Sequence, residues 1–177
     1  MTDIEQDFIR DCWYVAGWGD DFTYALTPLR ILDEPIVIFR TEAGVPAALE
    51  DACPHRKLPL SKGRLSGETV ECGYHGLTFE RSGACVRAPT QDGPLPAVTV
   101  RSYPVEDRWG ILWIWMGDAD KADPDEIFEI PNYDNPAWGR TQGGSMDIAC
   151  HYLYVVDNLL DPSHVATCDG SRRLSTT

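Results

Sequence analysis

Two short pairs constrain this chain more than anything else in it: Cys53-Pro54-His55 and, with sixteen residues between, Cys72-Gly73-Tyr74-His75. Each pair supplies one thiol and one imidazole, so the fold must present two tight loops side by side. Two Cys and two His suit a tetrahedral zinc ion. They equally suit a [2Fe–2S] cluster in which one iron takes both sulfurs and the other both ring nitrogens. Structural zinc sites usually pair like with like, as C-x2-4-C and H-x3-5-H. Here each loop carries one ligand of each kind, as if two similar loops gripped a diamond-shaped cluster from opposite sides. The spacing favours the cluster, and a zinc-binding structural domain remains the alternative.

A chain of 177 residues with 43% apolar content and six Trp can bury one good core, with room for a small appendage. Its net charge of −13 argues against nucleic acid, which calls for a basic stripe. The same charge would suit a basic redox partner, although acidic soluble proteins are common. The densest apolar run, residues 110–116, is too short to cross a membrane. The start Met1-Thr2-Asp3-Ile4-Glu5-Gln6-Asp7 is unlike a signal peptide. Outside the two pairs, Cys12, Cys85, Cys150 and Cys168 form no regular framework, and a reducing cytoplasm is the expected location.

Short β-rich runs bounded by turn residues fill the first two-thirds. Residues 36–40 and 45–49 flank the turn Thr41-Glu42-Ala43-Gly44, predicting a hairpin. Residues 77–79 and 84–86 flank Glu80-Arg81-Ser82-Gly83, predicting another, and Thr69-Val70-Glu71 leads into the second ligand loop. Residues 111–116 are apolar on both faces and predict a strand buried on both, and Trp109, Trp113 and Trp115 read as core packing rather than as an electron path. The reading is an antiparallel, mainly β domain over 1–117. From 118 to 134 seven acidic residues face one Lys, with Pro124 and Pro131, which predicts a connector over 118–145. Residues 147–156 read as strand-like, with Asp157 as a candidate N-cap for a following helix.

The stretch from Cys53 through Arg64, followed by Cys72-Gly73-Tyr74-His75-Gly76-Leu77-Thr78-Phe79, strongly resembles the Rieske domain of Rieske non-haem iron oxygenases. The likeness is to oxygenase components of the vanillate O-demethylase and phthalate dioxygenase kind. It extends from Trp13-Tyr14-Val15-Ala16 through Trp109-Gly110-Ile111-Leu112-Trp113 and covers roughly residues 10–165. It implies that Cys53, His55, Cys72 and His75 bind a Rieske [2Fe–2S] cluster, with Pro89 in a third loop beside it. Respiratory Rieske proteins add a Cys to each ligand loop; here those positions are Leu58 and Tyr74, and the resemblance implies the lower-potential branch. Electrons would come from an NAD(P)H-dependent reductase or a ferredoxin, and Arg56 and Lys57 are a candidate docking patch or simply a solvated face.

In such oxygenases the motif N-x-x-D-x-x-H-x-x-x-x-H opens the catalytic domain. Its two His bind a mononuclear iron, and its Asp bridges to the cluster of a neighbouring subunit in a trimer. Asn158, Asp161 and His164 match; the next ligand position holds Asp169. The tail from Gly170 to Thr177 does not resemble the family's continuation. The expectation is therefore an oxygenase subunit cut short soon after Ala166, with residues 146–177 the first strand and helix of an incomplete α+β catalytic domain. On this reading the mononuclear iron is doubtful here, and Asp169 as its ligand is the lesser reading. The resemblance implies an aromatic substrate, ring-hydroxylated or O-demethylated. A stand-alone Rieske ferredoxin is the rival, which Asn158, Asp161 and His164 argue against.

Overall fold

Four consecutive side chains with no solvent exposure, Ile36, Val37, Ile38 and Phe39, set the architecture. Successive side chains of a strand point to opposite faces, so such a run requires a packed layer on each side. The computed structural model describes residues 8–89, 94–95, 97–141 and 143–164, and it supplies both layers. The strands are β1 Trp13–Trp18, β2 Thr27–Ile31, β3 Glu34–Arg40, β4 Pro46–Glu50, β5 Arg64–Ser66 and β6 Thr69–Glu71. They continue as β7 Thr78–Glu80, β8 Cys85–Arg87, β9 Ser102–Tyr103, β10 Val105–Arg108 and β11 Ile111–Trp115.

The central sheet has the order β2-β3-β4-β9, flanked by β5-β6-β7-β8 and by β1-β11-β10, with every strand pairing antiparallel. On one face of the central sheet Val37, Phe39, Ala47 and Leu49 pack with Leu60, Val70, Phe79 and Val100, and the thiols of Cys53 and Cys72 belong to this cluster. On the other face Ile36, Ile38 and Ala48 pack with Phe22, Leu112, Ile114 and Met116. Burying each Ile or Phe contributes about 1.5–3 kcal/mol. The ligand-bearing loops are thus rooted in apolar packing.

Both predicted hairpins form, as β3–β4 and β7–β8. The run over 111–116 forms β11, with Leu112, Ile114 and Trp115 all 1% exposed or less. On the Trp side of β11, the indole N–H groups of Trp115 and Trp13 donate to the carbonyls of Asp118 (2.8 Å) and Asp123 (2.7 Å). The chain divides into two units, Met1–Arg140 and Thr141–Thr177.

The second unit corrects two expectations. Residues 147–151 carry no strand, and the apolar run that follows is helix α1, Tyr152–Leu160. Tyr152, Val155, Val156, Leu159 and Leu160 recur at helical spacing. The adjacent β-branched Val155 and Val156 favour a strand only weakly, and among the described residues there is no ladder for them to join. The N-cap is His151 rather than Asp157: the Leu153 N–H donates to His151 Nδ1 at 3.3 Å, while Asp157 lies within the helix. Among the described residues no helix is long and apolar enough to cross a membrane.

Candidate metal centre

The two ligand loops repeat one backbone pattern. The Cys53 N–H donates to the Leu58 carbonyl and the Lys57 N–H to the Cys53 carbonyl, both at 2.8 Å. The Cys72 N–H donates to Leu77 at 2.8 Å and the Gly76 N–H to Cys72 at 3.0 Å. The fourth residue after each Cys takes left-handed backbone, with φ of 56° at Lys57 and 73° at Gly76. Glycine adopts this region freely, and at 76 it is doubly required because a Cβ would lie 2.9 Å from Pro89 Cγ. Lys57 holds the same conformation at a cost of about 1–2 kcal/mol. The loops meet backbone to backbone: a Cβ on Gly63 would lie 2.1 Å from the Glu71 carbonyl oxygen.

This twinned geometry brings all four sequence-predicted residues of the pairs together. Cys53 and Cys72 are each 2% exposed within the core, whereas His55 is exposed and His75 half-buried. The His55 and His75 Nδ1 atoms face each other at 3.1 Å. Two ring nitrogens sharing one metal at about 2.1 Å must lie roughly 3.0–3.4 Å apart, so the imidazole pair fits a common metal. The thiols form a second pair, in contact with each other. Among the described residues no three His, Cys, Asp or Glu side chains converge on a single point, so the arrangement is two pairs rather than one tetrahedron. It fits a binuclear cluster with unlike ends.

Burial pushes the Cys53 thiol up, the neighbouring Cys72 adds to this, and backbone hydrogen bonds from His55 and Arg56 oppose both. Hydrogen bonds of that kind to cluster sulfur are one of the levers on reduction potential. Leu58 and Leu77 close the apolar side of the cleft, and the Tyr74 ring lies over His75 with centroids 3.9 Å apart.

The first loop has an anchor that sequence reasoning missed. Asp51, 8% exposed, accepts hydrogen bonds from both the N–H and the hydroxyl of Ser61, each at 2.6 Å. Nothing in the spacing of Asp51 and Ser61 marks them, because their meeting depends on the loop's path. Asp51→Ala leaves the Ser61 N–H unpaired and is expected to destabilise the protein by about 2 kcal/mol, measured by urea unfolding. Ser61→Ala keeps the backbone bond and should cost about half as much. Beyond the second loop, Arg64 (2.8 Å) and Arg87 (3.2 Å) both pair with Glu71, the residue before Cys72.

The remaining predicted residues lie in the second unit. Asn158 is within α1, and Asp161 follows it as the C-cap. The Asp161 carboxylate accepts the Ser163 N–H at 3.0 Å, and interactions with Ser163 hold it below the usual carboxylate range. His164 ends the turn Pro162–His164; its side chain, like Asp169, lies outside the described residues.

Residues 12–104 match the Rieske [2Fe-2S] domain family. Over 160 residues the chain is 44% identical to the iron-sulfur subunit of the toluene-4-sulfonate monooxygenase system of Comamonas testosteroni, covering 90% of this chain and 46% of that protein. It is 43% identical over 158 residues to the oxygenase component of dicamba O-demethylase from Stenotrophomonas maltophilia, covering 89% and 46%. A crystal structure of dicamba monooxygenase bound to dicamba superposes with a TM-score of 0.84 at 42% identity, covering 90% of this chain and 48% of that one. The chain spans about half the length of these relatives.

Proposed function

The chain belongs to the Rieske [2Fe–2S] domain family, and from that premise we propose that it is the electron-accepting part of an oxygenase component acting on an aromatic substrate. The observation that carries the reading is the pair of imidazole nitrogens 3.1 Å apart at the surface, above two buried thiols. Cys53 and Cys72 would hold one iron of the cluster, and His55 and His75 the other. When bound, the cluster supplies one-electron uptake, in a range of roughly −150 to +300 mV. The buried cysteines keep water from the sulfur end, and the exposed His55 edge presents the nitrogen end to a donor.

Relatives named for toluene-4-sulfonate, dicamba and vanillate support an aromatic substrate and either hydroxylation or O-demethylation. We assign the electrons to an NAD(P)H-dependent reductase or a ferredoxin, the location to the cytoplasm and the assembly to a homotrimer. Residues 1–117 form the cluster domain, 118–145 the connector and 146–177 the start of the catalytic region. There Asn158, Asp161 and His164 occupy the motif positions, and Asp161 is the bridging carboxylate toward a neighbouring subunit's cluster ligand.

Anaerobically purified protein is expected to contain two iron and two acid-labile sulfide per chain. On reduction by one electron it should show the anisotropic paramagnetic signal of a histidine-ligated cluster. Colourless protein loaded with zinc would overturn this assignment.

A further inference from the structure

A second cleft shares no lining residue with the one between the ligand loops. Its origin is a shortened ladder. Strand β4 pairs with β3 along its whole length, but with β9 only at Ala48–Tyr103 and Leu49–Ser102. Pro104 follows, and proline has no N–H to give a ladder. Its carbonyl instead accepts the Trp115 N–H at 2.9 Å, so the chain leaves the central sheet there. Pro46 and Ala47 have no β9 partner, and an open cleft of about 290 Å³ stands beside them, walled by Pro104, Val105 and Ala119.

Two polar residues interrupt this apolar lining, Arg81 and Ser102. Ser102 pairs with Leu49, so its side chain shares the face of Leu49 and Ala47. Among the described residues the exposed Arg81 guanidinium makes no ion pair.

The backbone under Arg81 is fixed. In the turn between β7 and β8 the Gly83 N–H donates to the Glu80 carbonyl (2.8 Å), the Glu80 N–H to Ala84 (3.0 Å) and the Val100 N–H to Gly83 (2.8 Å). The Ser82 hydroxyl donates to the Glu80 carboxylate at 2.6 Å and accepts the Ala84 N–H at 3.2 Å. A Cβ on Gly83, whose φ is 85°, would lie 1.9 Å from the Val100 carbonyl oxygen, so the turn sits directly on the segment entering β9. Ser82 thus draws the neighbouring carboxylate to itself, and Arg81 projects from a preorganised base.

We propose that this cleft binds a small organic monocarboxylate with a flat apolar body, its carboxylate on Arg81 and its body against Pro46, Pro104 and Val105. A guanidinium offers paired N–H donors whose geometry matches a carboxylate. An apolar wall with a few convergent polar groups is the usual make-up of a small-molecule site, and the volume lies at the small end of the range of roughly 300–1,000 Å³. Asp118 and Asp120 flank Ala119 in the chain, so a second carboxylate on the ligand would meet like charge. The site is built without any cluster ligand, so its test and the iron and sulfide content of the protein are decided separately.

The test is equilibrium dialysis of radiolabelled benzoate against the full-length protein. Saturable binding of one benzoate per chain is expected, with Kd on the order of 1 mM. Benzyl alcohol, which keeps the ring and loses the charge, should compete about tenfold more weakly, and terephthalate likewise. Arg81→Gln should weaken benzoate about tenfold at unchanged Tm, and Arg81→Lys, which keeps the charge without the fork, about threefold. At ten times Kd, benzoate should slow phenylglyoxal modification of Arg81 about tenfold, mapped by peptide mass, and leave Arg30 unaffected. Absence of saturable binding, binding undiminished in Arg81→Gln, benzyl alcohol competing as well as benzoate, or no protection of Arg81 overturns the inference.

Discussion

A His75→Cys variant is expected to accept its electron far less readily than the parent, its reduction potential falling by on the order of 100 mV or more. Two ferric ions, two sulfides and two thiolates sum to zero when the other ligands are neutral imidazoles. A third thiolate adds one negative charge, so the incoming electron meets a more repulsive centre. The direction is toward all-thiolate plant-type clusters near about −400 mV. The backbone at 75 needs no change, because its loop is fixed by the Cys72–Leu77 and Gly76–Cys72 hydrogen bonds. Protein-film voltammetry reads the shift directly, and iron and sulfide content show whether the cluster is retained. An intact cluster at the parent potential would remove His75 from the ligand set.

Gly63→Ala should both destabilise the fold and empty the site. Its Cβ would stand 2.1 Å from the Glu71 carbonyl oxygen and 2.9 Å from that of Leu60, and neither backbone atom can swing aside as a side-chain tip would. Overpacking of this severity costs about 3 kcal/mol, which in a chain of this size lowers Tm by roughly 6–12 °C. Since Glu71 precedes Cys72, relief of the clash moves the second ligand loop away from the first, and iron content should fall with stability. Gly139→Ala, where a Cβ meets nothing within 4 Å, is the control expected to leave both unchanged. A Gly63→Ala protein with parental Tm and a full cluster would show that the loops do not depend on this contact.

The parts read successfully from the sequence were those where side-chain chemistry repeats within a few residues. The pairing of unlike ligands at Cys53/His55 and Cys72/His75 announced two matched loops, the apolar run of β11 announced a strand covered on both faces, and the run at 36–40 beside its turn announced the β3–β4 hairpin. The strand β2 escaped because its hairpin turns through Leu32 and Asp33, with φ of 47° and 62°, where an Asn-Gly pair would have advertised the turn. The strands β5, β9 and β10 are two to four residues long, too short for alternation to register. Residues 147–156 read as strand-like with a helix starting after Asp157, whereas in the structure the helix, capped at His151, already begins at Tyr152. Asp51 and Ser61 were silent for another reason: a buried carboxylate meeting a serine ten residues away is a product of chain path, not of pattern.

One backbone layer serves as the wall of two cores. Val37 and Phe39 face the thiols while Ile36 and Ile38 face the tryptophan-bearing sheet, so each peptide of β3 is shared between them. Neither side can melt alone without exposing the other's apolar lining to water. Amide exchange should therefore report a single cooperative opening unit spanning β3, β4 and β11, with matching protection on both sides. Loss of the prosthetic group on heating should coincide with global unfolding instead of preceding it.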